Sequence, residues 1–172
     1  SMRSFMKQSK TKGWHPVLYG DALNWVVKQK NTGYDGMPYF KSKGAENAVC
    51  KNWDGSISLY PGCRGARSFY ATCVATKPSL DMVLDMTRNM AQLGPDVIQQ
   101  FDQLAGATPC YATDHGHPPV PGEWMTKDFT SLLKQDNELA RSINPSVVMA
   151  CEGAPAEVYM QNAYRKKGCG KM

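Results

Sequence analysis

Two acidic side chains each follow directly after an apolar run of the sequence. Asp102 follows Val97–Phe101, and Glu152 follows Val147–Cys151. Burying an ionised carboxylate is costly unless it is paired or hydrogen-bonded, so core packing gives no reason for an acid at the end of a buried strand. Two carboxylates across one cleft carry out glycoside hydrolysis, one as nucleophile or base and the other as proton donor. The alternative is that each acid caps a helix or satisfies polar groups of a loop.

A polar loop after Asp102 holds a second set of candidates, in which histidine and aspartate would hydrogen-bond sugar hydroxyls and aromatic rings would stack on a sugar face. The predicted substrate-binding residues are Trp25, Tyr111, Asp114, His115, His117 and Trp124. His115 and His117 could instead ligate zinc, as in metal-dependent hydrolases. That alternative requires further histidines at the carboxyl ends of other strands, and His15 lies at the opposite, amino end of its strand. We therefore assign no metal, and a purely structural loop remains a third alternative.

The elements that would position these residues alternate between strands and helices. This order indicates β-α-β units and a parallel sheet, in which ligands bind at the carboxyl ends of the strands. Near-continuous apolar strands agree, because parallel strands are covered on both faces. The predicted strands are 15–20, 97–102 and 147–152, the predicted helices are 65–75, 79–93, 126–142 and 156–164, and short strands are predicted at 37–40 and 57–60 within a loop-rich stretch.

Composition narrows the class of protein. The 172 residues are 42% hydrophobic and 20% charged, which is typical of one globular domain, and no apolar run approaches a membrane span. The net charge of +5 lies largely at the two ends and does not alternate with aromatics, so we expect no nucleic-acid partner. Residues 1–12 are interpreted as a tag remnant and basic tail, 13–164 as one domain, and 165–172 as a second basic tail.

Several motifs are missing from the sequence. Glycine-rich nucleotide-binding patterns and the G-x-S-x-G pattern do not occur, so no cofactor is expected. The N-terminus has positive charge without a following apolar stretch, which does not fit a secretory signal, and a cytoplasmic location is the default expectation. The cysteines lack C-x-x-C spacing, so reduced thiols rather than a zinc knuckle are expected. They are Cys50, Cys63, Cys73, Cys110, Cys151 and Cys169.

Some of these motifs also carry a family resemblance. They are Phe101-Asp102-Gln103, Cys110-Tyr111, His115-Gly116-His117-Pro118, Cys151-Glu152-Gly153 and Ala156-Glu157. Together they resemble a glycosidase-like (β/α)8-barrel family related to the barrels of endo-α-N-acetylgalactosaminidases. The resemblance covers roughly residues 13–164. It implies that Asp102, at the end of the fourth strand, is the nucleophile, and that Glu152, at the end of the fifth, is the acid/base.

The resemblance implies a TIM-barrel-type α/β fold and retaining hydrolysis of an α-linked sugar. A complete barrel usually needs about 250 residues, so the chain resembles the middle of the family's barrel and is expected to be a partial barrel. Open sheet edges would favour a homo-oligomer that completes the sheet. Two alternative functions stay open: a carbohydrate-binding or structural module without turnover, and a metal-dependent hydrolase centred on His115 and His117.

Overall fold

The structure is a computed structural model that describes residues 1–62, 65–101 and 107–151. Asp102, Glu152 and the helix predicted at 156–164 lie outside the described residues. The chain divides into two compact units. The first contains the described residues within 1–21, 84–105 and 130–172, and the second contains those within 22–83 and 106–129.

The first unit contains a parallel sheet of three strands, β1 (Val17–Gly20), β6 (Val97–Gln100) and β7 (Val148–Ala150). Strand β6 lies in the middle and pairs in parallel with both neighbours. Its register aligns Gly20 of β1 with Gln100. The predicted parallel sheet is therefore confirmed, and the carboxyl ends of the three strands lie at one edge.

The core of the first unit forms where this sheet is covered by helical residues. Ile98 and Met149 of the sheet are buried in one apolar cluster with Ala91 and Ala140. The cluster has small alanines on the helical side, which allows close approach of backbone to sheet. At the end of β1 the approach is so close that a Cβ on Gly20 would lie 2.9 Å from the Met86 sulfur, so only glycine fits there without rearrangement.

Residues 2–11, expected within a basic tail, form helix α1 (Met2–Thr11). The Ser1 hydroxyl accepts a hydrogen bond from the Ser4 N–H at 3.3 Å, which satisfies one of the unpaired donors at the start of the helix. Met6 is only 3% exposed. Lys10 near the other end forms an ion pair with Asp96, so the segment is anchored to the first unit at both its apolar and its charged positions.

The second unit is built on an antiparallel sheet with the strand order β3-β2-β5-β4. The strands are β2 (Asn24–Gln29), β3 (Tyr34–Asp35), β4 (Leu59–Gly62) and β5 (Arg67–Ala71). Two predictions in this unit are wrong. The segment predicted as a helix at 65–75 contains strand β5, and the short strand predicted at 37–40 is part of helix α2 (Met37–Ser42).

Local chemistry explains both errors. Phe69 and Tyr70 favour a strand, and β5 is paired on both sides, by β2 and β4. Helix α2 begins where the Asp35 carboxylate accepts a hydrogen bond from the Met37 N–H at 3.0 Å, and Pro38 occupies the first turn, where its missing N–H costs nothing. Phe40 of this helix is 1% exposed and belongs to the core of the second unit.

The two long helices occur where the sequence predicts them. Helix α3 spans Lys77–Ala91, against a predicted 79–93, and α4 spans Glu123–Ile143, against a predicted 126–142. Among the described residues, no helix combines the length and apolar character that crossing a bilayer would require.

A buried polar chain joins helix α3, strand β6 and helix α4 within the first unit. The Thr87 hydroxyl lies 2.8 Å from Gln100 Oε1 and in contact with the Asp136 carboxyl group. A hydroxyl has one hydrogen, so it can donate to only one of these two acceptors. Burial raises the pKa of Asp136 to about 7, and the hydrogen bond with Thr87 opposes this shift. A protonated Asp136 can donate to Thr87, which then donates to Gln100.

We predict that the stability of the chain falls as pH rises through this pKa. The carboxyl of Asp136 ionises near 4 in the unfolded chain and near 7 in the folded one, so the folded state loses up to about 4 kcal/mol of relative stability between these values. The substitution Asp136→Asn removes the ionisable carboxyl and with it this pH-dependent loss of stability. Urea unfolding at pH 4 and pH 8 measures the free energy of unfolding of both proteins. Between these pH values, the stability of the variant relative to the wild type should increase by about 1–4 kcal/mol.

Asp85→Asn is the matched control for this experiment, because Asp85 is an exposed aspartate on α3. Its stability curve should run parallel to that of the wild type over the same pH range. Parallel curves for Asp136→Asn would contradict the prediction.

Candidate functional site

The carboxyl edge of the parallel sheet carries the first group of candidate residues. Asp21 directly follows β1, Phe101 follows β6, and Cys151 follows β7. Asp102 and Glu152 come next along the chain and lie outside the described residues, so their predicted catalytic roles stay predictions. Because the three strands are parallel and adjacent, all three chain segments leave the sheet at the same edge.

Asp21 is a candidate that the sequence analysis missed. It is half-buried and follows an apolar strand directly, as Asp102 and Glu152 follow theirs. The same signal was therefore present in the sequence. The apolar run before Asp21 is short and continues into Ala22 and Leu23, which are both buried, and this obscures the end of the strand.

Backbone strain marks the end of β6. Phe101 has a φ of 77°, in the left-handed region that bulky residues rarely adopt, and its side chain is 3% exposed. Its backbone N–H donates to the Gly20 carbonyl at 3.1 Å. Such a conformation costs of order 1–3 kcal/mol and persists only where the surroundings enforce it, commonly at functional sites. The strained residue immediately precedes Asp102.

The predicted substrate-binding residues all belong to the second unit, and the structure brings only some of them together. Trp25 is half-buried and its ring packs against Tyr39 and Phe40 at centroid distances of 5.9 and 5.6 Å. Tyr111 is 50% exposed, and the Asp114 side chain is 73% exposed. These three are available to a ligand to different degrees, and their predicted sugar contacts remain predictions.

His115, His117 and Trp124 form one cluster. The His117 ring stacks on Trp124 with 4.0 Å between centroids and 9° between planes, and the two histidine rings are 6.0 Å apart. Trp124 is 8% exposed, and the His115 side chain is 3% exposed. Trp124 and the His115 side chain are thus enclosed, and His117 is half-buried. The sugar contacts predicted for these three residues stay predictions.

Two cysteines that the sequence analysis set aside complete this cluster. Cys73 follows β5, and Cys110 begins the segment that carries both histidines. One ligand atom from each of Cys73, Cys110, His115 and His117 lies within 4.8 Å of the other three. The signal in the sequence was the spacing of Cys110, His115 and His117 in one loop. Cys73 lies far away along the chain, and only the fold brings it to the same place.

A third thiol, Cys50, lies beside Cys73 and Cys110. A hydrogen bond to Cys110, then one to Cys73, and burial raise the pKa of the Cys50 thiol. Hydrogen bonds from Cys50 and Cys73 lower the pKa of the Cys110 thiol. All three residues are buried free thiols.

Comparison with known proteins gives relatives in sequence and in fold. A protein of Bacteroides thetaiotaomicron named "Putative glycoside hydrolase" is 29% identical over 100 residues, which cover 56% of this chain and 14% of that protein. In structure, the chain is similar to an α-galactosidase from Thermus thermophilus in complex with p-nitrophenyl α-D-galactopyranoside. The TM-score is 0.65 at 17% identity, over 94% of this chain and 28% of that chain.

A second solved structure, an α-N-acetylgalactosaminidase from Bifidobacterium bifidum, matches with a TM-score of 0.56 at 12% identity, over 88% of this chain and 21% of that chain. The chain therefore spans less than a third of the length of each of these three relatives. By sequence and by fold it is similar to part of a glycoside hydrolase. Residues 1–164 match the family described as "Domain of unknown function (DUF6259)", and the chain belongs to that family.

Proposed function

We propose that this chain is part of the catalytic barrel of a retaining glycoside hydrolase that acts on an α-linked galactose or N-acetylgalactosamine. The observation that carries the proposal is the parallel sheet of β1, β6 and β7, whose carboxyl edge leads directly to three acidic residues in the sequence. The sugar class is taken from the relatives, which include an α-galactosidase and an α-N-acetylgalactosaminidase.

In this mechanism Asp102 attacks the anomeric carbon and Glu152 protonates the departing oxygen. A covalent glycosyl-enzyme intermediate forms, and Glu152 then acts as base to activate the water that hydrolyses it. Retention requires the two carboxyl groups to lie about 5–5.5 Å apart. Adjacent parallel strands are about 4.8 Å apart. The register pairs Gln99 with Ala150, so Asp102 comes three residues after a paired position and Glu152 two, and the two acids follow neighbouring strands one residue apart in register.

The proposal assigns binding roles within each unit taken by itself. In the first unit, Asp21 would accept hydrogen bonds from sugar hydroxyls at the carboxyl edge of β1. In the second unit, Asp114 would accept hydrogen bonds from a carbohydrate, and Tyr111 would stack on a sugar face. Trp25 is retained as a stacking residue of the second unit because it is half-buried and not enclosed.

A barrel needs strands beyond those described. Within the described residues, β1 and β7 each pair with β6 alone, so both edges of this sheet have hydrogen-bonding groups for a further strand. We propose that further strands of the same protein, or a second copy of the chain, pair with these edges. A carbohydrate is the proposed partner in either case.

Substitution of the two acids should separate their roles. In the protein that carries this chain, Asp102→Asn should lower kcat on p-nitrophenyl α-D-galactopyranoside by at least about 10⁴-fold, because no nucleophile remains. Glu152→Gln should lose far more activity on an alkyl glycoside than on this aryl glycoside, because nitrophenolate leaves without protonation. Steady-state kinetics on both substrates measures the difference.

Azide provides the control for this assignment. With Asp102→Gly, azide should take the place of the missing nucleophile and yield the β-glycosyl azide. With Glu152→Ala, it should attack the covalent intermediate and yield the α-glycosyl azide. NMR distinguishes the two products. Unchanged turnover by Asp102→Asn would contradict the proposal, and ligand binding without any turnover by the wild type would favour a binding module.

Tyr111→Ala tests the binding surface. An aromatic contact contributes about 0.5–1.5 kcal/mol beyond its buried area, so loss of the ring should weaken galactoside binding at the second unit by about tenfold with little change in fold. Trp53→Ala is the matched control, since Trp53 is an aromatic residue of the same unit with 83% exposure and no predicted ligand contact. Equal effects of the two substitutions would contradict the role of Tyr111.

A further inference from the structure

The Cys/His cluster, defined as Cys73, Cys110, His115 and His117, has the dimensions of a tetrahedral metal site. In a zinc site the metal lies about 2.3 Å from sulfur and 2.0–2.1 Å from nitrogen, which separates neighbouring ligand atoms by about 3.3–3.8 Å. His115 Nδ1 lies 3.4 Å from Cys110 Sγ, within this range. All four ligand atoms lie within 4.8 Å of one another, so small side-chain rotations would bring them to ligand distances.

His117 uses one ring nitrogen, Nδ1, for a hydrogen bond, and the other, Nε2, has no hydrogen-bond partner within the described part of the chain. Its Nδ1–H donates to the Pro118 carbonyl at 2.8 Å, which fixes the tautomer and leaves a lone pair on Nε2. Nε2 is buried and has no hydrogen-bond partner among the described residues. A buried acceptor without a partner costs free energy, and a metal ion would remove that cost.

His115 also has one nitrogen with a neighbour and one without a hydrogen-bond partner, but here it is Nδ1 that faces the cluster. With Nδ1 beside the Cys110 sulfur, its Nε2 is buried and lacks a hydrogen-bond partner among the described residues. Asp114 Oδ1 lies 3.9 Å from this Nε2. A short movement of that carboxylate would complete the arrangement in which a metal-bound histidine donates its other N–H to an acid.

We propose that Cys73, Cys110, His115 and His117 bind one Zn²⁺ ion in a structural site. Two thiolates and two imidazoles are a ligand set that selects zinc, and four protein ligands complete its tetrahedron. No position is then open for a water molecule, which distinguishes this site from a catalytic metal. The ligands are also enclosed, since Cys73 is 1% exposed and Cys110 is not exposed at all.

The position of the cluster in the second unit indicates a structural role for the ion, which would cross-link two parts of that unit. Residues 107–122 contain neither helix nor strand, and three of the four ligands lie in this segment. The fourth, Cys73, follows strand β5 and is held by a 2.7 Å hydrogen bond from its N–H to the Ala48 carbonyl. Zinc would therefore tie a long irregular segment to the antiparallel sheet and hold the exposed Tyr111 between two ligands.

Cys50 is left out of the proposed ligand set because its sulfur does not belong to the group of mutually close ligand atoms. Its Sγ lies 3.3 Å from the Thr72 carbonyl and 3.7 Å from the Thr108 carbonyl, which share its single S–H with the neighbouring thiols. It is absent from the four residues whose ligand atoms are mutually close. It is as buried as Cys73 and Cys110. It is consequently the matched control for a cysteine substitution in this cluster.

Metal analysis of the full chain tests the proposal. Protein expressed with added Zn²⁺ and purified without chelator should contain about one zinc ion per chain. After removal of zinc with a chelator under reducing conditions, Co²⁺ should restore one ion per chain and give the intense visible absorption of tetrahedral thiolate coordination. Cys73→Ser and His117→Asn should each lose at least about 80% of the bound zinc, and Cys50→Ser should retain it.

The wild-type measurements do not depend on whether any variant folds. Less than about 0.2 zinc per chain together with no tetrahedral Co²⁺ spectrum would overturn the proposal. Retention of zinc by soluble Cys73→Ser and His117→Asn would overturn it as well, because the ion would then lie elsewhere. A disulfide between two of the three buried cysteines in anaerobically purified wild type would also contradict it. None of these readouts depends on glycosidase activity, so this proposal and the proposed function fail independently.

Discussion

The pairing of β6 with a parallel neighbour on each side is the constraint on which the candidate active site depends. Parallel pairing brings the carboxyl ends of the strands to a common edge. The register sets which residues of neighbouring strands lie side by side there. The hydrogen bond from Phe101 to Gly20 continues the pairing one residue beyond β6, at the cost of a left-handed backbone. The chain direction immediately before Asp102 is therefore set by backbone bonding and by burial of the Phe101 ring.

A different constraint operates in the second unit, where the sheet is antiparallel and the long segment 107–122 has no regular structure of its own. Segments of this kind must satisfy their backbone groups by other means. The Tyr111 N–H donates a hydrogen bond to the Lys51 carbonyl at 2.9 Å. The Pro119 carbonyl accepts a hydrogen bond from the Trp124 indole N–H at 3.3 Å. A metal at the Cys/His cluster would add further cross-links to this segment.

The sequence was sufficient for elements whose signal is local. Strand β6 and helix α4 follow from an apolar run and an amphipathic repeat, and both occur where they are predicted. It was insufficient for β5, because the choice between helix and strand at Arg67–Ala71 depends on pairing with β2 and β4, which lie at a distance along the chain. The sequence did not predict the Cys/His cluster for the same reason. Cys73 and Cys110 become neighbours only through the fold.

The buried chain of Thr87, Gln100 and Asp136 bears on how any pH dependence should be interpreted. Gln100 is the last residue of β6, and Asp102 follows two positions later. The raised pKa of Asp136, about 7, falls in the range to which a glycosidase tunes its proton donor. Under the proposed function, ionisation of Asp136, which contacts β6 through Thr87, and ionisation of Glu152 would both lower activity above pH 7. Only ionisation of Glu152 would make the loss depend on the leaving group, because Asp136 affects the strand and not the departing oxygen.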